Sequence, residues 1–158
     1  MKSKIIFFSV LAFHLGINVS CSHKFAENIR DKHIIPDVPV YTQIDLSLGG
    51  ESTNWIDQPR YFSTSSSGTA LGYQGHGIII YTNNNTEYKC FDATCTNCTD
   101  LTSAFGQKDL QGSFVRCPVC GLRFLLLYGY PEDAEKNIYP LKEYPVVKTG
   151  NKLIVSNH

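Results

Sequence analysis

Two short cysteine loops constrain this chain more than anything else in it. They are Cys95-Thr-Asn-Cys98 and Cys117-Pro-Val-Cys120, separated by the 18 residues from Thr99 to Arg116. Two cysteines with two residues between them in a tight turn can aim both sulfurs at one point. A second such turn fills four positions around a shared centre. A fold that uses this pattern must bring two separate bends together, and no other part of the chain carries comparable chemistry.

The 158 residues are enough for one domain with a sizeable core. Basic and acidic residues balance at 14 each, and no run of Lys or Arg forms a patch for nucleic acid. The amino-terminal end reads as an export signal. Lys2 and Lys4 make a basic start, and Ile5 to Phe13 is apolar but too short to span a bilayer. Smaller residues then lead to Cys21, the order of a secretory signal. Ile17-Asn18-Val19-Ser20-Cys21 is similar to a lipobox, with Asn18 where Leu is usual. Residues 1–20 are therefore expected to be a lipoprotein-type signal peptide and Cys21 the lipidated first residue. Residues 21–35 are expected to be a polar tether, and 36–158 the folded domain. That implies an exported protein anchored to a bacterial envelope membrane, facing the periplasm or the exterior. Export favours disulfides over free thiols. The five remaining cysteines are odd in number, however, and crowd into the stretch from Cys90 to Cys120, which fits a metal site better than a framework of staples.

Hydrophobic patterning predicts strands. Val38, Val40, Thr42, Ile44 and Leu46 alternate with more polar residues, the mark of a half-buried strand. Trp55 and Ile56 are expected in the core, and Ser63 to Gly68 is a loop. Gly77 to Thr82 reads as a buried strand, Asn83-Asn84-Asn85 as a turn, and Glu87 to Asp92 as the returning arm of a hairpin. Ser113 to Arg116 and Leu122 to Tyr128 are further strands around the second cysteine loop. Pro131 to Pro140 is a charged loop, and Tyr144 to Lys148 with Lys152 to Ser156 make a closing hairpin. No helix pattern of ten residues appears. The expectation is an all-β sandwich or small barrel.

From Val38 onward the chain resembles the Rieske iron–sulfur domain family, in particular short exported Rieske-like proteins related to ring-hydroxylating ferredoxin subunits. Three stretches carry the resemblance. Gly72-Tyr-Gln-Gly-His-Gly-Ile-Ile-Ile-Tyr81 is similar to the glycine-led strand before the cluster hairpin. Cys90-Phe-Asp-Ala-Thr-Cys95 is similar to the approach to the first ligand, and Cys117-Pro-Val-Cys120-Gly-Leu-Arg-Phe124 to the second loop, C-P-x-H-G-x-x-F. Gly129, Pro140-Leu141, Tyr144-Pro145 and the last hairpin follow in family order. The resemblance implies a Rieske-like fold with a metal-site subdomain over about residues 88–130. The departure is in the ligands. Where the family has C-x-H, Asn97 stands at the His position with Cys98 one step on; where it has C-x2-H, Cys120 replaces the His.

Three readings of Cys95, Cys98, Cys117 and Cys120 stay open. A 2Fe–2S cluster with four thiolates would carry more negative charge than a Rieske centre, and its potential would fall toward roughly −400 mV. A structural zinc or a single iron would be closed by four protein ligands. Two disulfides, or a thiol-exchange pair, are the third reading. The first makes the protein an electron carrier or redox subunit with a redox protein partner. The rival function is a non-redox interaction module stabilised by zinc. No nucleophile with a nearby base, paired carboxylates or phosphate loop is apparent, so a stand-alone enzyme is not expected. Cys90 is read as core filler, Asn97 as a turn residue able to donate to sulfur, and Phe124 and Tyr128 as packing under the loops. His33, His76 and His158 are not read as ligands. Asp92 and Asp100 are read as surface turn formers.

Overall fold

The computed structural model describes residues 35–47, 55–98, 101–133 and 138–157. The segment expected to be a signal peptide, Cys21, His33, Asp100, His158 and all of the expected tether except Ile35 lie outside the described residues.

Among the described residues, eleven short strands form three antiparallel sheets. The first joins β1 (Tyr41–Asp45), β11 (Lys152–Ser156) and β10 (Val146–Thr149), in that order. The second joins β2 (Arg60–Phe62), β3 (Ile78–Tyr81), β4 (Lys89–Asp92) and β9 (Glu143–Tyr144). The third joins β5 (Leu110–Gln111), β6 (Phe114–Arg116), β7 (Arg123–Leu125) and β8 (Tyr130–Pro131). The helical segments among the described residues are two 3-10 turns, Tyr73–Gly75 and Gln107–Asp109. The architecture is all-β, with the third sheet forming a separate subdomain at the cysteine loops.

The central strands of the second sheet, β3 and β4, are buried on both faces, and the two-residue period of a strand decides what each face touches. Ile78, Ile80 and Cys90 join a cluster with Val40, Ile44, Trp55, Leu153 and Val155 of the first sheet's side. Ile79, Tyr81 and Phe91 join the other cluster, with Val115, Phe124, Leu126, Phe105 and the cysteines Cys95, Cys98 and Cys117. An alternating chain thus serves two cores with one sheet. Burying each large apolar side chain contributes roughly 1.5–3 kcal/mol, so both clusters stabilise the central sheet.

Most strands fall where the pattern places them, including β1 with Val40, Thr42, Ile44 and Leu46 turned inward. Trp55 is buried, as expected. The strand expected over Leu122 to Tyr128 is shorter. It ends at Leu125, and Tyr128 and Gly129 both donate their N–H groups to the Leu125 carbonyl in a turn. Gly129 takes a φ of 72°, which reverses the chain so that β8 pairs back onto β7. Tyr128 therefore sits at the turn and is 61% exposed, not packed under the loops, whereas Phe124 is fully buried. Strands β2, β5 and β8 have only two or three residues and no alternation long enough to read.

Ile35, placed by the sequence at the end of the tether, is buried. The buried Lys142 Nζ donates to the carbonyls of Ile35 and Pro36 and pairs with the exposed Asp37 carboxylate. The chain entry is thereby fastened to the segment leading into β9.

Candidate metal centre

Each cysteine loop is closed by backbone bonds that leave its sulfurs free. In the first, Cys95 N–H donates to the Ser103 carbonyl and Phe105 N–H to the Ala93 carbonyl. In the second, Cys117 N–H donates to the Leu122 carbonyl and Gly121 N–H to the Cys117 carbonyl. Gly121 has a φ of 74°, a left-handed conformation that suits glycine and lets the chain double back after Cys120. Strands β6 and β7 flank this loop with Arg116 opposite Arg123.

The four sulfurs converge, as the loop spacing predicts. All lie within 4.8 Å of one another. Cys95 Sγ is 3.8 Å from Cys120 Sγ, and Cys98 Sγ is 3.7 Å from Cys117 Sγ. Four thiolates at the usual zinc–sulfur bond of about 2.3 Å define a tetrahedron with edges of about 3.8 Å. The sulfurs therefore fit one ion with little movement. A 2Fe–2S cluster would draw on the same four thiolates. None of the sulfurs is in a disulfide.

Cys95, Cys98 and Cys117 are buried and Cys120 is exposed. Burial raises the Cys95 thiol, opposed by hydrogen bonds from the Asn97 and Cys98 N–H groups, and burial also raises Cys98. Cys117 goes the other way. Burial pushes it up, but hydrogen bonds from the Ser103 hydroxyl and the Cys120 and Val119 N–H groups outweigh this and bring it down to about 7. Ser103 Oγ lies 3.3 Å and Cys120 N 3.4 Å from Cys117 Sγ. Donors of this kind stabilise the thiolate that a metal requires.

The support beneath the first loop is Asp92, and here the sequence reading is corrected. Asp92 is no surface turn former; it is fully buried at the end of β4. Its carboxylate accepts from the Tyr144 hydroxyl at 2.6 Å, Tyr73 N–H at 2.7 Å and Thr94 N–H at 2.8 Å. Burial and the adjacent Asp92 charge raise the Tyr144 phenol, which stays a donor. Gly72 makes the Tyr73 bond possible: a Cβ there would lie 2.2 Å from the Gly77 carbonyl oxygen. Thr96 Oγ1 donates to the Tyr139 carbonyl and His76 Nδ1 lies 2.9 Å from Thr94 Oγ1, so His76 braces the loop and lies outside the sulfur group. For Asn97 it is the backbone N–H that serves the Cys95 sulfur. Ser103, Thr96 and Tyr144 went unread as site supports because each acts from a distance in sequence, with no spacing signal.

No family model matches the chain, and no curated protein matches it. Solved structures to which it is similar include the ferredoxin of carbazole 1,9a-dioxygenase from Nocardioides aromaticivorans IC177, at 18% identity and a TM-score of 0.44, covering 77% of this chain and 100% of that one. A Sphingomonas yanoikuyae B1 ferredoxin shares 20% identity at a TM-score of 0.41, over 52% of this chain and 76% of the other. A chain of the complex of reduced oxygenase and oxidized ferredoxin in carbazole 1,9a-dioxygenase shares 16% identity at 0.47, over 75% and 94%.

Proposed function

We propose that this chain is a Rieske-like metal-binding protein in which Cys95, Cys98, Cys117 and Cys120 hold one tetrathiolate ion, and that with iron it works as a one-electron carrier or redox subunit. The observation that carries this is the mutual 4.8 Å limit on the four sulfurs, which suits a single ion. Two thiolates from each loop would hold the ion, and iron there would supply a one-electron couple.

The carrier role draws support from the second loop. Cys120 is exposed and Val119 is 74% exposed, so one edge of the sulfur group reaches the surface behind an apolar tip. Lys108, Asp109 and Arg116 surround a shallow depression beside it. A redox protein partner could dock on this tip with little chain between its own centre and the sulfurs. A second reading, a structural zinc in a non-redox interaction module, is favoured by the same tetrahedron, because four protein ligands leave no open position.

Anaerobic purification followed by metal and acid-labile sulfide analysis tests both. One iron per chain without labile sulfide, with a thiolate-to-iron visible spectrum, supports the carrier. One zinc and no colour leaves the structural module. Two irons with two sulfides would overturn the single-ion reading. The envelope placement rests on the sequence alone: lipidation at Cys21 would put the domain on a membrane surface, and Cys21→Ser should then move the protein from the membrane to the soluble exported fraction.

A further inference from the structure

All four sulfurs are close enough to pair, and the shortest separations given favour one pattern. Cys95 faces Cys120 at 3.8 Å and Cys98 faces Cys117 at 3.7 Å, each pair drawn from different loops. Exposure is unequal: Cys120 is open to solvent, and the other three are buried. An oxidant arriving from solvent meets Cys120 first, with Cys95 directly beneath it. Closing such a contact to a bond of about 2 Å takes side-chain rotation and a small approach of the two bends.

We infer that the four-cysteine group is also an oxidation site, at which a hydroperoxide joins Cys120 to Cys95 and then Cys98 to Cys117. The two cross-loop disulfides would expel any bound ion yet keep the loops tied. Only the expulsion rests on the metal-binding reading; the pairing rests on the sulfur positions. In the first step the Cys120 thiolate attacks a peroxide oxygen. The O–O bond breaks, an S–O bond forms, and hydroxide leaves when the oxidant is hydrogen peroxide. The Cys95 thiolate then attacks the Cys120 sulfur, forming the S–S bond and releasing a second hydroxide. Two electrons pass from the sulfur pair to one hydroperoxide. The inner pair consumes a second, so four electrons and two hydroperoxides account for both bonds.

Pairing within a loop is the competing outcome. It starts from sulfurs that also lie within 4.8 Å of each other, and it would disturb the 3.3 Å contact between Cys117 Sγ and the Ser103 hydroxyl. The backbone bonds that close each loop use no sulfur and survive cross-loop pairing. Cys90 is fully buried and belongs to the opposite core cluster, so it stays reduced.

The test is a hydrogen peroxide titration of the reduced, purified full chain. Ion release is followed with a chromogenic chelator, and bonds are mapped by mass spectrometry after non-reducing digestion. We expect Cys95–Cys120 and Cys98–Cys117, with Cys90 free. In Cys120→Ser, which is mapped in the same way whether or not it retains an ion, Cys98–Cys117 should still form and Cys95 should remain a thiol. Bonds within either C-x2-C, a bond to Cys90, or sulfinic acid at Cys120 with Cys95 still reduced would overturn the inference. A chain without metal that forms the cross-loop bonds upholds the pairing and sinks the metal reading; one ion per chain with within-loop bonds does the reverse.

Discussion

The two cores that share the central sheet are built differently. On one side Val40, Ile44, Trp55, Leu71, Leu153 and Val155 close an apolar cluster against five-residue strands β1 and β11. On the other, three cysteines take places that aliphatic side chains would fill, and the flanking strands β5 to β8 have two or three residues each. The first side is held by the longer ladders, five paired residues between β1 and β11. The second has as many buried apolar side chains but much shorter strands, so a cross-tie between its two loops, as the metal reading proposes, would add most on this side. Burial stabilises both cores, and if the sulfurs hold an ion, filling that centre adds to the stability of the second alone.

The largest break in this comparison should come from Cys117→Ser. It removes one of four ligands and leaves three thiolates around an incomplete site. We expect loss of stoichiometric metal and faster amide exchange over residues 95–98 and 117–121, with exchange in β1 and β11 unchanged. Retained metal would count against four-sulfur ligation.

Asp92→Ala ranks next. It strips the acceptor from three donors at a fully buried point. At about 1–3 kcal/mol for each stranded group, partly relieved by water, the loss is roughly 3–5 kcal/mol in denaturant unfolding. Asp92→Asn, which can still accept, should lose less.

A matched pair sharpens the contrast. Phe124→Ala and Leu153→Ala each open a cavity in one core and should each cost about 3–4 kcal/mol. Only Phe124→Ala should also weaken metal binding, since Phe124 and the ligands share a cluster. Equal effects of the two on metal affinity would show that the cores are one unit.

Smaller effects come from protons and outer contacts. Cys95 and Cys98 are held above their ordinary range by burial and must each lose a proton to bind metal. Affinity should therefore rise with pH through neutrality, by about tenfold per pH unit for each proton released. Competition titrations at three pH values measure the slope, and a flat profile would mean the thiols are already ionised. Ser103→Ala removes the hydroxyl that steadies the Cys117 sulfur and should lower metal affinity by about tenfold, the low end for an outer contact.

The strands and the four-sulfur group were legible because both follow short spacing rules. Alternation located β1 and β3, and loop spacing located four sulfurs that do converge. Asp92 was misread because a carboxylate after a strand ordinarily faces water. What buries it is Tyr144, 52 residues away, and no local pattern announces that partner. Tyr128 failed for the opposite reason: its run of apolar neighbours reads as a continuing strand, while Gly129 reverses the backbone one residue later. The choice between one ion and a two-iron cluster was beyond sequence reading, since both require the same four thiolates.

The placement of Cys90 has a consequence for the protein among its own copies. An unpartnered cysteine ordinarily invites covalent dimers, since any two surface thiols that collide under oxidising conditions can couple. Here the strand pleat turns that sulfur inward, and its enclosure pushes the thiol well above its ordinary range. Even crowded neighbours in an oxidising medium would find no reactive sulfur at this position, so an odd cysteine brings no chain-to-chain linkage with it.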